Sequence, residues 1–140
     1  MRASEVKTAI VDAIQAITPD SDVGGEVFRH VDLGGREPAA LSERAFLLDL
    51  TSIARSGLLQ AGTQAASYQL TVFYASYAGV EDRISDDAER LIVAVEALPN
   101  VAGDLFATEI DAVDVAQSAT ADGMLEAILP IEVIYRRSGV

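Results

Sequence analysis

The chain of 140 residues has the length of one domain, and it is long enough to bury a core without disulfides. It has no cysteine, one histidine and no apolar run near the roughly 20 residues of a membrane span. These features exclude disulfides, thiolate chemistry and a membrane helix, and the net charge of −12 excludes nucleic-acid binding through a basic footprint.

The first predicted element is an amphipathic helix over residues 5–17. Ser4 is the expected N-cap, and the Thr18-Pro19 pair ends the helix because the residue before proline avoids the helical region. Apolar residues recur at helical spacing: Val6, Ala9, Ile10, Ala13, Ile14 and Ile17.

Residues 20–42 have the composition of a loop. Glu26–Val31 is a candidate short strand around Phe28, and its two flanking Gly-Gly pairs lack the spacing of a phosphate cradle. His30 has no second ligand nearby in sequence, so we expect a packing or surface histidine.

Two strands are predicted next, at residues 44–52 and 68–75. The first has apolar residues at alternate positions, and the second is rich in aromatic and β-branched types. The connection between them, residues 53–67, is long for neighbouring strands. It either folds back on the sheet as a helical turn or extends as an arm toward a neighbouring subunit.

A second helix is predicted over residues 86–98, after a loop at residues 77–84. Asp86 serves as the N-cap with Glu89 completing a capping box, and Pro99 stops the helix. Its acidic first turn suits the helix dipole. The expected buried stripe consists of Ala88, Leu91, Ile92, Val95 and Leu98.

Residues 105–137 are expected to form a C-terminal hairpin with its turn at Asp122-Gly123. The last strand has one wholly apolar face and one mixed face. Pro130 has no N–H to donate, so it should face an edge or a bulge. The apolar face consists of Leu125, Ala127, Leu129, Ile131, Val133 and Tyr135.

The order helix, strand, strand, helix, strand, strand predicts an α+β fold in a single domain, residues 1–140. We expect a four-stranded, mostly antiparallel sheet with two helices on one face (order α-β-β-α-β-β).

Catalytic chemistry is not visible in the sequence. The carboxylates of Glu109, Asp111 and Glu132 are expected to face one another across the hairpin, as solvated acids. There is no G-x-S-x-G elbow, cofactor fingerprint or metal cluster. We therefore expect a protein that is not an enzyme and has no cofactor and no metal.

The whole pattern resembles a family of phage proteins. It combines the first helix with Arg44–Asp49, Tyr68–Tyr74, an Asp-capped helix (Asp86–Leu98) and a final strand containing Leu129–Arg136. In size and element order this is similar to the tail-terminator, or tail-completion, proteins of long-tailed bacteriophages such as phage lambda.

The resemblance implies a virion protein without catalytic residues, located at the head-proximal end of the tail and in the host cytoplasm during assembly. It implies a homo-oligomer, a hexameric ring, on the last ring of the tail tube, with the tail tube protein and a head-completion or connector protein as partners. We expect the subunit interface to include Arg55, Leu58, Leu59 and Arg83.

In such a ring, DNA passes through the lumen without being bound, and like charge keeps phosphate from sticking. Residues 71–140 hold thirteen acids and four bases, and the acidic lumen candidates are Glu81, Asp82, Asp86 and Asp87. A solvated acidic surface is the plainer explanation of the charge. Two other functions stay open: a head-completion or connector-adaptor protein, and a dimeric α+β module that binds a small ligand in an apolar pocket.

Overall fold

The computed structural model describes residues 1–17, 27–31, 43–54, 62–100, 103–118 and 123–137, which form an α+β fold. Eight helices and strands and a short 3₁₀ turn after the second helix (Leu98–Asn100) are present in these ranges. In chain order the eight are α1 (Ala3–Gln15), β1 (Arg29–His30), β2 (Ala45–Ala54), β3 (Thr63–Ala75), α2 (Val80–Glu96), β4 (Leu105–Ile110), β5 (Asp114–Gln117) and β6 (Met124–Arg136).

The strands form one mixed sheet in the order β1-β2-β3-β6-β4, with β5 also paired to β6. β1 runs parallel to β2, and every other pairing is antiparallel. The centre of the sheet is the β3–β6 ladder, which runs without interruption from the pair Thr63 and Arg136 to the pair Ala75 and Met124.

The predicted four-stranded sheet in the order α-β-β-α-β-β is wrong, because the described residues form six strands. The first addition is β1, which follows the fully buried Phe28 and pairs with the start of β2. The second arises because the expected run at 105–117 breaks at residues 111–113, which divides it into β4 and β5.

This break lies opposite Pro130. β4 pairs with β6 up to Ile131 and β5 pairs with β6 from Ile128, so Leu129 and Pro130 have no partner on that side. Since proline cannot donate a ladder hydrogen bond, the partner strand is interrupted where no donor is available. Pro130 was expected to face an edge or a bulge, and it lies instead at a gap between two partner strands of an interior strand.

Both helices pack on the same face of the sheet. The alternating apolar face of β6 lies in this core as predicted, while the opposite face of β6 is only partly covered. The buried side chains of the helices are Val6, Ile10 and Ile14 of α1 and Val80, Ile84, Leu91 and Val95 of α2.

The helices start earlier than predicted. Ser4 lies inside α1, and its carbonyl accepts a hydrogen bond from the Thr8 hydroxyl, so it is not the N-cap. Asp86 lies inside α2, whose N-cap is Gly79 at a φ of +90°. The buried stripe of α2 extends back to Ile84, although residues 77–84 were predicted to form a loop because they contain Gly79.

The predicted arm at residues 53–67 is shorter than expected. Ile53 and Ala54 belong to β2. Residues 63–67 belong to β3, where they pair with the last residues of β6, and residues 65–67 also pair with β2. A bulge between Leu50 and Ser52 shifts the register of the two strands by one residue. Residues 55–61 lie outside the described residues.

Candidate subunit interface

The β2–β3 hairpin exposes two apolar side chains near its loop. Leu50 pairs with Tyr68 and Ile53 pairs with Ala66, and both partners are buried beneath the helices. Directly paired residues share a face of the sheet, so Leu50 and Ile53 also lie on the helix side. They are nevertheless 45% and 46% exposed. We call residues 50–54, all of which are exposed, the hairpin end.

The segment that contains the hairpin end is almost without charge. From Leu50 to Val80 the sequence has one charged residue, Arg55, in a protein in which 23% of residues are charged. The cores of protein interfaces are depleted of charge, whereas ordinary exposed strands carry it. Much of this segment is the buried strand β3, but the exposed residues 50–54 are also uncharged, which is the composition of a contact surface.

A second apolar surface lies between the helices. A groove of about 570 Å³ separates the C-terminal part of α1 from the middle of α2, and we call it the helix groove. Val93 is 70% exposed, the largest fraction among the described large hydrophobic side chains. The groove is lined by Ala13, Ala16, Ile17, Glu89, Arg90, Val93 and Ala94.

The two apolar surfaces lie at opposite ends of the molecule. The Tyr68 hydroxyl donates to the Ala3 carbonyl, which places the start of α1 near the hairpin end. The Gln15 side chain accepts from the His30 amide, which places the end of α1 beside β1. At about 3.3 Å per strand residue, β2 from Phe46 to its end spans roughly 26 Å.

A partly buried ion pair joins α2 to the residue that precedes β2. Arg44, just before β2, donates from Nε and Nη2 to the two carboxylate oxygens of Asp87 at 2.9 and 2.8 Å. The Tyr74 hydroxyl donates to the same carboxylate at 2.8 Å. The guanidinium also lies over the Phe28 ring at 5.7 Å, so aromatic and anionic groups surround it.

These contacts shift the protonation equilibria of two groups. Burial alone lowers the pKa of Arg44, but the hydrogen bonds and the charge of Asp87 outweigh it, and the pKa is raised. Burial raises the pKa of the Tyr74 hydroxyl, and the neighbouring Asp87 carboxylate raises it further. Arg44 therefore stays charged and Tyr74 stays neutral over the physiological range.

Of the predicted interface residues, Arg55, Leu58 and Leu59 lie outside the described residues. Arg83 lies on α2, where its guanidinium is 3.7 Å from the Glu43 carboxylate of the same chain. Both side chains are partly exposed, and an exposed pair at this distance contributes little to stability.

The four acids predicted to line a lumen separate into two groups. Glu81, Asp82 and Asp86 are exposed on α2. Asp87 is buried and is held by Arg44, so its assignment to an open acidic surface is wrong. The physical reason is the helical register, because Asp87 falls on the same stripe as Ile84 and Leu91.

The pairing of β4 with β6 does bring three carboxylates together. Glu109 pairs directly with Glu132 across β4 and β6, and Asp111 follows two residues on. The Asp111 carboxylate raises the pKa of Glu109, because it accepts a hydrogen bond from the protonated form and repels the ionised form, and Glu96 and Glu132 add to the effect. All of them are solvent-exposed, and no described group of three His, Cys, Asp or Glu side chains has the arrangement of a metal site.

The sequence analysis did not identify Leu50, Ile53 or Val93 as surface residues. Leu50 continues the apolar alternation of β2, on the same face as the buried Phe46 and Leu48. Its exposure follows from where the helices end, which a strand pattern does not contain. Val93 did carry a signal, since it falls outside the buried stripe of α2.

Neither the protein-family models nor the curated proteins that were compared with this sequence give a match. The described residues contain no helix that is long and apolar enough to cross a membrane.

Proposed function

We propose that this protein is a structural protein of a phage tail, a tail terminator that assembles as a ring on the end of the tail tube. The ring stops polymerisation of the tube and forms the surface to which the head attaches. The observation that carries the proposal is the hairpin end, an exposed and uncharged apolar surface on an otherwise acidic protein.

An exposed apolar pair on the core side of a sheet favours association, since covering it removes apolar area from water. Leu50 and Ile53 are neighbours along one strand, so a partner covers both in one contact. The resemblance of the sequence to tail-terminator proteins, in its size and in the strand residues of Arg44–Asp49, Tyr68–Tyr74 and Leu129–Arg136, makes a further copy of the same chain the proposed partner, in a hexameric ring.

The distribution of charge supports passage of DNA through such a ring. Six copies carry roughly −70, six times the formal charge of the chain, and this charge acts at short range because salt screens it. The exposed acids Glu81, Asp82 and Asp86 on α2 are the proposed contributors to an acidic surface. Like charge disfavours contact between phosphate and these acids, so DNA slides past.

The proposed mechanism of termination depends on two different ring faces. One face resembles the tube protein and binds the growing end of the tube. The other lacks the complementary surface, so that no further tube subunit adds and a head-completion or connector protein binds instead.

The first test is the assembly state and its effect on a tube. Light scattering and negative-stain images of the purified protein are expected to show rings of about six copies with a central hole. Added to polymerising tail tube protein, these rings should shorten the tubes and remain at one end. A Leu50→Ser, Ile53→Ser double variant should lose both activities.

A matched control is Val115→Ser, because Val115 is 51% exposed on β5, away from the hairpin end. It is expected to assemble normally. A clean dimer at every concentration, with tubes unaffected, would contradict the proposal and favour the ligand-binding module. Rings that bind the connector but leave tube growth unchanged would favour the head-completion or connector-adaptor protein.

A further inference from the structure

We propose that three arginines at one end of the sheet form a binding surface for an acidic segment of a partner protein. The three are Arg2, Arg136 and Arg137, and we call them the arginine cluster. The inference goes beyond the proposed function, because it concerns the chemistry of a contact with a different protein rather than with another copy. It depends on neither the hairpin end nor the helix groove.

The fold brings the three arginines together from the two ends of the sequence. Arg2 is the N-cap of α1, and the nitrogen of its neighbour Met1 donates to the Arg136 carbonyl at 2.9 Å. Arg136 ends β6 and Arg137 follows it. Each of their backbone amides donates a 2.7 Å hydrogen bond to the carbonyl of a residue just before a neighbouring strand. The backbone of the cluster is therefore fixed at the end of the sheet at which β3 and β4 begin.

The charges of the cluster are not neutralised within the described part of the chain. The protein has 22 acids and only 10 lysines and arginines, so carboxylates are in excess. Arg44 and Arg83 each contact a carboxylate. No arginine of the cluster forms an ion pair with a described residue, although Asp104 and Glu5 lie close by. Unpaired positive charge on a protein with a net charge of −12 favours an anionic partner.

An exposed aromatic ring orients one of the arginines. The Arg136 guanidinium lies over the Phe106 ring at 5.6 Å, and Phe106 is 44% exposed. A stacked arginine is preorganised, so it loses less conformational freedom when its donors bind a carboxylate. Arginine and aromatic side chains are also enriched in protein interfaces. An acidic segment with a neighbouring apolar side chain matches this pair, because it supplies a carboxylate for the guanidinium and a cover for the ring.

Two buried polar atoms near the cluster also have no hydrogen-bond partner among the described residues. They are Nε of Arg137 and Oε1 of Gln64, whose side chain is only 6% exposed. Gln64 pairs with Tyr135 in the β3–β6 ladder, and Arg137 follows two residues later, so the two lie on the same side of the sheet end. Buried polar groups are normally hydrogen-bonded. A peptide segment carries both groups that are missing here, an acceptor for Nε and a backbone N–H for Oε1.

The rest of the protein favours a protein partner over nucleic acid. Three arginines are a small cationic footprint, whereas the charge of DNA is continuous along its length. A duplex bound at the cluster would also approach the acids of a chain with a net charge of −12. A short acidic segment can contact the cluster alone, so like charge elsewhere on the molecule opposes it less.

The test measures the binding of a labelled acidic peptide to the full-length protein. The probe is a fluorescein-labelled decapeptide of alternating glutamate and alanine, and the neutral control peptide has glutamine in place of glutamate. Fluorescence anisotropy is recorded at low and at high salt. We expect saturable binding of the glutamate peptide that weakens as salt is added, and no binding of the glutamine peptide.

Removal of the charge of the cluster should weaken this binding. The double variant Arg136→Gln, Arg137→Gln should raise the Kd by at least about tenfold, because two charge-assisted pairs are lost. Arg2→Gln, which leaves the sheet untouched, should raise the Kd by a smaller factor and replaces the double variant if a circular dichroism melt shows that the latter is unfolded. Arg83→Gln is the matched control, since Arg83 already contacts Glu43, and it should leave the Kd unchanged.

Other outcomes overturn the inference. Absence of saturable binding, or equal binding of the glutamine peptide, would mean that the cluster does not recognise acidic segments. Tighter binding of a DNA duplex that is lost in the double variant would assign the cluster to nucleic acid, and displacement of the peptide by millimolar inorganic phosphate would assign it to a free anion. An equal loss in Arg83→Gln would attribute the binding to diffuse charge.

The assembly state of the same samples separates this inference from the proposed function. Rings without binding of the glutamate peptide would reject the inference alone. Binding of the peptide without rings, at any concentration, would reject the proposed function alone.

Discussion

The Arg44 guanidinium and the Asp87 carboxylate form a two-point hydrogen-bonded pair between residues 43 positions apart in sequence. The pair joins the residue that precedes β2 to the middle of α2. Because Tyr74 of β3 donates to the same carboxylate, three separate elements meet at one anion. The position of α2 on the sheet thus depends on polar contacts as well as on its apolar stripe.

Replacement of Asp87 by Ala should lower the free energy of unfolding by about 3 kcal/mol. The change leaves the largely buried Arg44 without its counter-charge, and breaking a buried pair from one side is strongly destabilising. Urea unfolding followed by circular dichroism measures the effect. The matched control is Asp86→Ala, one residue earlier and exposed, with an expected change within about 0.5 kcal/mol. Equal effects of the two changes would contradict this account.

Arg44 should tolerate glycine better than alanine. Its φ is +64°, a left-handed conformation that costs a residue with a Cβ roughly 1 kcal/mol, and glycine avoids this cost. Both Arg44→Gly and Arg44→Ala lose the pair with Asp87, so their difference isolates the backbone term. We expect Arg44→Gly to be the more stable variant by about 1 kcal/mol in urea unfolding. A more stable alanine variant would show that this residue is not strained.

Stability should fall as the pH rises above about 10. Burial and the neighbouring Tyr135 raise the pKa of Tyr68 to about 12, whereas an unfolded tyrosine has a pKa near 10. Between these values the unfolded state loses a proton that the folded state keeps, so the free energy of unfolding decreases with pH. Urea unfolding at about pH 9 and about pH 11 measures the slope.

The Tyr68→Phe variant should have a smaller slope over the same pH range, because it has no phenol to ionise at this position. Tyr77→Phe is the comparison: partial burial and a hydrogen bond with Glu43 also raise the pKa of Tyr77, but less than that of Tyr68, so its loss should reduce the slope less. An unchanged slope in Tyr68→Phe would mean that other groups control the alkaline transition.

Glu109→Gln should raise the unfolding midpoint at neutral pH. The Asp111 carboxylate and the neighbouring Glu96 and Glu132 raise the pKa of Glu109, so the ionised form is disfavoured in the folded protein. As the pH falls, Glu109 takes up a proton sooner in the folded state, and the advantage of Gln should shrink toward about pH 4. Thermal unfolding at the two pH values measures the difference.

The matched control is Asp49→Asn. Asp49 is an exposed strand acid whose cross-strand partner on β3 is the neutral Gln69, whereas Glu109 is paired with an acid. Removal of its charge should leave the midpoint nearly unchanged at both pH values. A similar gain in both variants would attribute the effect to net charge rather than to the cluster around Glu109.

The sequence was most informative where one residue type decides the local geometry. The period of two in β6 predicted its buried face, and Pro130 predicted an edge or a bulge at its position, where the neighbouring strand is in fact interrupted. Both features depend only on backbone geometry and on the chemistry of a single side chain.

Other features depend on contacts far away in sequence. Thr63–Ser67 has small polar residues that are not typical of a strand, yet it pairs with the end of β6 and becomes one. Arg44 and Tyr74 meet at Asp87 only after the chain has folded. Asp87 did offer a clue, because an acid on the stripe of Ile84 and Leu91 requires a buried partner.

The uninterrupted β3–β6 ladder also has a consequence for synthesis of the chain. Every pair in this ladder is separated by α2 and by the edge strands β4 and β5, so β3 leaves the ribosome long before its partner exists. Until β6 is released, one edge of the nascent sheet has no native neighbour. Folding to the native sheet is therefore completed only after translation of the last strand. The unpaired edge of β3 is the place at which a chaperone would bind a stalled chain.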